Sequence, residues 1–352
     1  MFRKKINFDL DEFRSRPLPS EQEIMSGWTG DLDKPVVSVI CNTYNQEMYI
    51  EDAIRGFLIQ ETDFPFEVII NDDASTDRNP EIIKSYAEKY PSIIKPVFQE
   101  ENQYSQGRKP SVVSFPYTSG DYISLCEGDD FWICPHKLQD QFNTIERESV
   151  GLVYCPAVAL SGAKTQGLTG QMALNDAHVP LEEVIRGGGS FCPTASVFVD
   201  RTALNVLFGE PWFLQAPVGD LYIQAYCSAA TGAYFLAKPY CVYRKFANGS
   251  WSEKKPSLGQ EQDFLTRQLI GVKGLVDSLP CLDRDALTIM SDGVFYHSAI
   301  RFLWINEWGF YKELIEKVSV EYRYRSFGCR LFWFLRDFPV LAKFLAKFFV
   351  FR

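Results

Sequence analysis

The strongest constraint on this chain is a series of short apolar runs separated by helical stripes. Runs of strand type stand at residues 35–41 (PVVSVIC), 66–71 (FEVIIN), 94–98 (IKPVF) and 122–127 (YISLCE). A strand with one wet face alternates apolar and polar residues, whereas a near-continuous run such as PVVSVIC suits a strand covered on both faces. Between the first two runs, Ile50, Ala53, Ile54, Phe57 and Leu58 recur at the spacing of one helical stripe. Asn79 and Pro80 offer a cap and a first-turn proline for a helix reaching Tyr90, and Pro135 opens another whose Leu138, Phe142 and Ile145 share a face. Strand and helix alternating in this way predict an α/β chain built on an open, mostly parallel sheet with helices on both sides.

In such sheets ligands bind outside the carboxyl ends of the strands. Three polar segments fall there: Thr43 to Asn45 (TYN), Asn71 to Asp77 (NDDASTD) and Glu127 to Asp130 (EGDD). Carboxylates crowded at the end of a buried strand repel one another and lose solvation unless donors or a cation compensate them. Magnesium or manganese is the simplest compensation, because either is held by one or two protein carboxylates plus substrate phosphates. Taken singly, EGDD reads equally as an acidic turn capping the next helix, and NDDASTD reads better as a solvated turn. A calcium loop starting at Asp73 fails, since Arg78 stands where glycine is needed and Lys84 where glutamate is needed.

The rest of the chain frames these segments. Residues 1–35, broken by Pro17, Pro19 and Pro35, read as an irregular arm. From 151 to 245 the pattern is mixed, with strands expected in GLVYCPAVAL, ASVFV, AYFLA and YCVYRKF and a helix after Asp220. Residues 256–352 read as helices. A net charge of -9 argues against nucleic acid as a partner. Nine scattered cysteines, an odd number, suit reduced thiols, and the amino-terminal segment lacks the apolar run of an export signal, so a cytoplasmic location is expected. His136, His178 and His297 are isolated and are not expected to bind metal. In the tail from Tyr322 onward, seven Lys or Arg face a single acid, Asp337, and Leu341, Phe344, Leu345 and Phe348 form a stripe apart from Lys343 and Lys347. Such a helix could lie on an anionic membrane through residues 330–352, on the inner face of the membrane, or pack against the catalytic domain or a second subunit of a homo-oligomer.

Taken together, the segments SVICNTYNQEMYIEDAIRGFLIQ, FEVIINDDASTD, GDYISLCEGDDFW followed by PHKLQDQ, and GDLYIQAYCSAATGAYFLAKPYCVYRKFANGSWS resemble, in order and spacing, the inverting family 2 glycosyltransferases of GT-A fold. The resemblance covers about residues 36–252 and implies a GT-A catalytic domain over 36–255, followed by a helical extension over 256–352. It implies that Thr43, Asn45 and Asp72 hold the nucleotide base and ribose, that Asp130 contacts a divalent metal (Mn2+ or Mg2+) directly, and that Asp129 contacts ribose or metal. Glu127 takes the first acidic position of that motif, and Asp220 matches the general base. Beside them Phe131 and Trp132 would shape and dry the pocket, with ordinary core packing the expectation for Phe131. Where many relatives carry a histidine after the YR motif, this chain has Phe246; Arg244, Lys245, Arg108 and Lys109 are candidates to support the diphosphate instead. The implied partners are a nucleotide-sugar donor, such as a uridine diphosphate sugar, and a hydroxyl of a cell-surface glycan or lipid-linked precursor. A nucleotidyltransferase on a similar sheet is the first alternative, but CNTYNQE has neither Gly nor Lys to cradle a triphosphate. A non-catalytic glycan-binding relative is the second.

Overall fold

A computed structural model describes residues 8–247 and 256–349. The chain divides into two compact units. The first comprises Met1–Leu181, Gly189–Gly209 and Ile223–Glu253, and the second Glu182–Gly188, Glu210–Tyr222 and Lys254–Arg352.

Four parallel strands form the heart of the first unit: β1 (Val37–Thr43), β2 (Phe66–Asp72), β3 (Ile94–Phe98) and β4 (Tyr122–Leu125), in the spatial order β3-β2-β1-β4. Val37 stands opposite both Phe66 and Tyr122, and Thr43 opposite Asp72, so the carboxyl ends of these strands lie along one edge. Every residue of β2 is buried, as its continuous apolar run requires. Of its two carboxylates, Glu67 is buried and satisfied: it accepts from Ser38 Oγ at 2.6 Å, and from the Ser119 amide at 2.7 Å and hydroxyl at 2.8 Å. Helix α3 (Ile50–Leu58) buries Ile50, Ala53, Ile54, Phe57 and Leu58, the stripe read from the sequence, in the core shared with β1 and β2.

Beyond β4 the sheet continues as β10 (Phe198–Asp200), β6 (Leu152–Tyr154), β11 (Ala233–Phe235) and β9 (Ala177–Val179), with β10 antiparallel to both its neighbours. A smaller sheet pairs β5 (Phe131–Trp132), β12 (Cys241–Arg244), β7 (Ala157–Ser161) and β8 (Lys164–Thr169) in that order. The run GLVYCPAVAL, expected as one strand, is therefore split between two sheets. The break falls at Cys155-Pro156, where proline supplies no ladder donor. The amino-terminal arm also differs from expectation, because it forms two short helices, α1 (Leu10–Ser15) and α2 (Glu21–Met25). Asp9 caps the first; Ser20 and Glu23 form a capping box on the second. They are held by burial of Phe13 and Ile24 and by two 2.8 Å bonds from Arg14 to the buried carboxylate of Asp52.

The second unit is helical, as expected. Its frame is α11 (Leu258–Ser278) and α12 (Arg284–Trp304), joined by a two-pronged ion pair in which Arg301 donates to the buried Glu261 at 2.7 and 2.6 Å. Shorter helices follow: α13 (Trp308–Lys317), α14 (Val320–Arg323), α15 (Phe327–Phe334) and α16 (Pro339–Phe349). Helix α9 (Pro211–Gln215) lies on α11, where a Cβ at Gly274 would overlap the Trp212 ring, so only glycine allows that approach. Among the described residues no helix is long and apolar enough to cross a membrane.

Candidate active site

The site begins at the end of β1. Thr43 is buried, and its hydroxyl donates to Gln46 Oε1 at 2.9 Å and accepts from Asn79 Nδ2 at 3.0 Å. Asn79 was read from the sequence as a helix cap. It is instead the first residue of α4 (Asn79–Lys89), and its side chain bridges Thr43 and Asp72 Oδ2, the latter at 2.7 Å. The capping role at this turn falls to Asp77, whose Oδ1 accepts from the Asn79 amide at 3.0 Å. Asn45 takes a left-handed backbone, φ 51°, which asparagine tolerates better than most residues. From there its amide donates to Ser75 Oγ and its Oδ1 accepts from the Thr76 amide, each at 2.8 Å. Glu47 adds two more ties to the same loop, through Asp77 and the Arg78 amide, each at 2.9 Å. The loops after β1 and β2 are thus one hydrogen-bonded platform.

Asp72 is committed to that platform. It is buried, with Oδ1 accepting from the Ser75 amide at 2.8 Å and Oδ2 from Asn79. Asp73, which fails as the start of a calcium loop, receives the amides of Gln103 and Tyr104 at 2.7 and 3.0 Å and so anchors the loop after β3. Arg108, exposed on that loop, donates to Gln103 Oε1 at 2.9 Å, which draws a cation toward the same rim.

The acidic cluster joins the rim through Gly128. Its amide donates to the Asn42 carbonyl at 2.9 Å, and a Cβ there would sit 2.5 Å from Gln46 Oε1 and 2.6 Å from Thr43 Oγ1. Gln46 also hydrogen-bonds the Asp129 carboxylate. Access differs along the cluster: Glu127 is exposed, Asp129 is partly exposed, and Asp130 is 1% exposed. Asp130 Oδ1 accepts from the Arg244 amide at 2.8 Å, whereas its Oδ2 is buried with no partner. Burial, with repulsion from Asp129 and Glu127, pushes the Asp130 carboxyl well above the ordinary range. Burial also raises that of Asp129, against the opposing pull of Arg244 and Gln46. A cation would reverse both shifts. Among the described residues no three His, Cys, Asp or Glu side chains are grouped to hold a metal by themselves. The residues present therefore fit magnesium or manganese completed by phosphate oxygens and water, with the orphaned Oδ2 of Asp130 and the accessible Asp129 as protein donors.

Arg244, a candidate to support a diphosphate, is used otherwise. It is buried; its guanidinium pairs with Asp52, donates to the Asp129 carbonyl at 2.7 Å, and stands over the rings of Phe131 at 4.5 Å and Tyr49 at 5.1 Å. Phe131 and Trp132 are fully buried. Phe131 packs on Phe13 with 4.9 Å between ring centroids, while Trp132 donates to the Ala195 carbonyl at 2.8 Å and meets Phe57 edge-on. Phe131 thus takes the core packing expected of it, whereas Trp132 is also packed in the core instead of lining a pocket. Phe246 is 66% exposed with φ 60°. The motif WS at Trp251 and Ser252 lies outside the described residues.

Asp220 belongs to the second unit and opens helix α10 (Asp220–Ser228). That helix start is fixed by Tyr222, whose hydroxyl donates to Gln268 Oε1 at 2.7 Å and which fills the space a Cβ at Gly271 would need. Asp220 keeps solvent-exposed surface, yet surrounding protein desolvates its carboxyl and raises it to about 6. An accessible carboxylate with such a value can take and return a proton near neutral pH.

Comparisons with known proteins agree with this architecture. Residues 38–208 match the model of Glycosyl transferase family 2. An uncharacterised protein of Mycobacterium tuberculosis is 32% identical over 222 residues, 61% of this chain and 60% of that protein, so the chain spans about three-fifths of that relative's length. A Bacillus subtilis protein named for teichuronic acid biosynthesis, TuaG, is 35% identical over 108 residues, covering 31% of this chain and 39% of its own. In fold, the chain is similar to residues 1–349 of S. aureus TarS, solved in complex with UDP-GlcNAc, with a TM-score of 0.61 at 18% identity over 88% of this chain and 91% of that one. With the β1, β2 and β4 loops gathered at one rim on a GT-A fold, the segment 38–208 of the chain belongs to glycosyl transferase family 2.

Proposed function

We propose that the chain is an inverting glycosyltransferase that moves a sugar from a nucleoside diphosphate donor, a uridine diphosphate sugar, to a hydroxyl of a cell-surface glycan or its lipid-linked precursor on the cytoplasmic side. The observation that carries this reading is the junction at Thr43, where the loops following β1, β2 and β4 are bonded together beside an acidic turn that holds an unsatisfied carboxylate oxygen. Thr43, Asn45 and Asp72 hold the bed on which the nucleoside lies. Asp129 is the leading contact for the divalent cation, with Asp130 behind it, because Asp129 is the more accessible of the two. When bound, magnesium or manganese supplies charge stabilisation on the leaving phosphate oxygens. Arg108 adds an exposed positive charge on the same rim.

Asp220 acts as general base. The acceptor oxygen attacks the anomeric carbon as the bond to the diphosphate oxygen breaks; the acceptor proton passes to Asp220 and the nucleoside diphosphate leaves with the bonding electron pair. The cell-surface acceptor class is supported by the teichuronic acid relative. Transfer assayed with a panel of nucleotide sugars, with and without manganese, tests the reading. Asp220→Asn is expected to lower turnover by about 10^2- to 10^4-fold while leaving nucleotide affinity unchanged. Full turnover by that variant would remove Asp220 from the mechanism, and nucleotide binding without any transfer by the native chain would favour the non-catalytic glycan-binding alternative.

A further inference from the structure

The second unit carries a surface that the transfer reaction does not use. Of the 22 large apolar side chains exposed among the described residues, eight lie between residues 320 and 344: Val320, Tyr324, Phe327, Phe334, Phe338, Val340, Leu341 and Phe344. So dense an apolar patch is uncommon on a protein that meets only water. It is not left over from a missing core. Helices α15 and α16 already bury Cys329, Phe332, Ala342 and Ala346 against α12 and α13. Packing through the two alanines brings α16 close to its neighbour and leaves Leu341 and Phe344 outside. Leu341 and Phe344 of the apolar stripe thus face outward, Leu345 is half-buried, and the side chain of Phe348 lies outside the described residues.

The charge beside the patch is positive. Residues 320–347 hold six basic side chains (Arg323, Arg325, Arg330, Arg336, Lys343, Lys347) and two acidic ones (Glu321, Asp337), in a chain whose net charge is -9. Three of the bases already have polar partners: Arg323 Nη2 donates to the Glu316 carbonyl at 2.9 Å, Lys343 donates to the Trp304 carbonyl at 2.8 Å, and Arg336 faces Glu316 and Asp337. Arg330 enters no ion pair among the described residues and instead stands over the Tyr324 ring. At this place a cavity of about 120 Å³ is lined by Val320, Arg323, Tyr324, Arg330, Trp333 and Phe334. Two of its lining residues hold buried donors without an acceptor, Arg323 Nε and Trp333 Nε1. Unmet donors beside a cationic opening call for anionic oxygen, and the aromatic rim around them calls for hydrocarbon.

We propose that this face seats the chain on a membrane of anionic phospholipid, the cavity at Arg323, Arg330 and Trp333 receiving a headgroup phosphate while Phe327, Phe334, Phe338 and Phe344 enter the interface. The inference is independent of the transferase reading. It extends the lipid contact expected over residues 330–352 to the groove between α14 and α15. Each basic side chain at an anionic surface changes partitioning by about fivefold, and each Phe withdrawn from the interface by about tenfold.

The test is co-sedimentation of the full chain with phosphatidylcholine vesicles, with and without phosphatidylglycerol. Binding is expected only with phosphatidylglycerol, and Arg330→Glu should weaken it at least about fivefold in a salt-sensitive way. Phe334→Ser, at an exposed position, should weaken it about tenfold in a salt-insensitive way. Circular dichroism confirms that both variants fold, and inorganic phosphate should fail to compete, which separates the lipid from the free anion. Equal binding to neutral and anionic vesicles, or native binding by both variants, overturns the proposal. So would concentration-dependent dimerisation abolished by Phe334→Ser in the absence of any vesicle binding, because the face would then belong to a second copy.

Discussion

Replacing Arg244 by methionine separates support of the acidic turn from direct contact with a ligand. Methionine keeps most of the apolar stem but removes the guanidinium. Loss of one partner of a buried ion pair ordinarily costs about 3–5 kcal/mol, because the remaining charge is orphaned. Here Asp52 keeps its two 2.8 Å bonds from Arg14, so the loss at that carboxylate falls to one charge-assisted hydrogen bond, about 1.5–3 kcal/mol. The Asp129 carbonyl loses its 2.7 Å donor, about 1 kcal/mol. The sandwich between Phe131 and Tyr49 loses about 0.5–2 kcal/mol. The expected destabilisation is therefore about 3–6 kcal/mol, read by urea unfolding, and a double-mutant cycle with Asp52→Asn should return about 1.5–3 kcal/mol of coupling. Nucleotide affinity of the fraction that remains folded should change little, since the Arg244 amide still caps Asp130. Unchanged stability with a large loss of nucleotide affinity would refute this reasoning and return Arg244 to the diphosphate.

Three further outcomes follow from the same geometry. Asp220, raised to about 6, is active as a base only when ionised, so kcat/KM should fall with unit slope as pH drops through that value, to about a tenth of the plateau one unit below it, and a profile without this limb would deny Asp220 the role. Gly128→Ala places a methyl 2.5 Å from Gln46 Oε1 and 2.7 Å from Thr43 Cβ, and should cost about 1–3 kcal/mol of stability together with nucleotide affinity; an unperturbed variant would mean that the junction at Thr43 is loose. Because the protein alone offers no three-ligand metal group among its described residues, manganese should stabilise the fold mainly when nucleoside diphosphate is present, by about 2.7 kcal/mol at a hundredfold excess over Kd, read as a rise in melting temperature. An equal shift by manganese alone would point to a site built by protein groups only.

Much of the first unit was legible in the chain. The four strand runs, the α3 stripe and the placement of three polar segments at carboxyl ends are local patterns, because burial on both faces dictates composition residue by residue. The capping box of Ser20 and Glu23 opens a helix within a segment whose three prolines suggest an irregular arm. What was not legible is how each carboxylate is used. Asp72 and Asp73 are adjacent and alike, yet the first is consumed by Asn79, seven residues on, and the second by amides about thirty residues away.

The same division holds across the chain. Side-chain period and the acidity of strand ends specify a layered sheet with a ligand edge, because those preferences act within a few residues. Whether a given acid is left open to a cation or an acceptor depends on donors brought from afar: Arg244 reaches Asp130 across 114 positions and Asp52 across 192. In the tail, too, the stripe was visible, but only the packing of Ala342 and Ala346 on α12 turned Leu341 and Phe344 outward. Hydrogen-bond satisfaction and close packing are properties of the assembled interior, so they are decided only when distant segments meet.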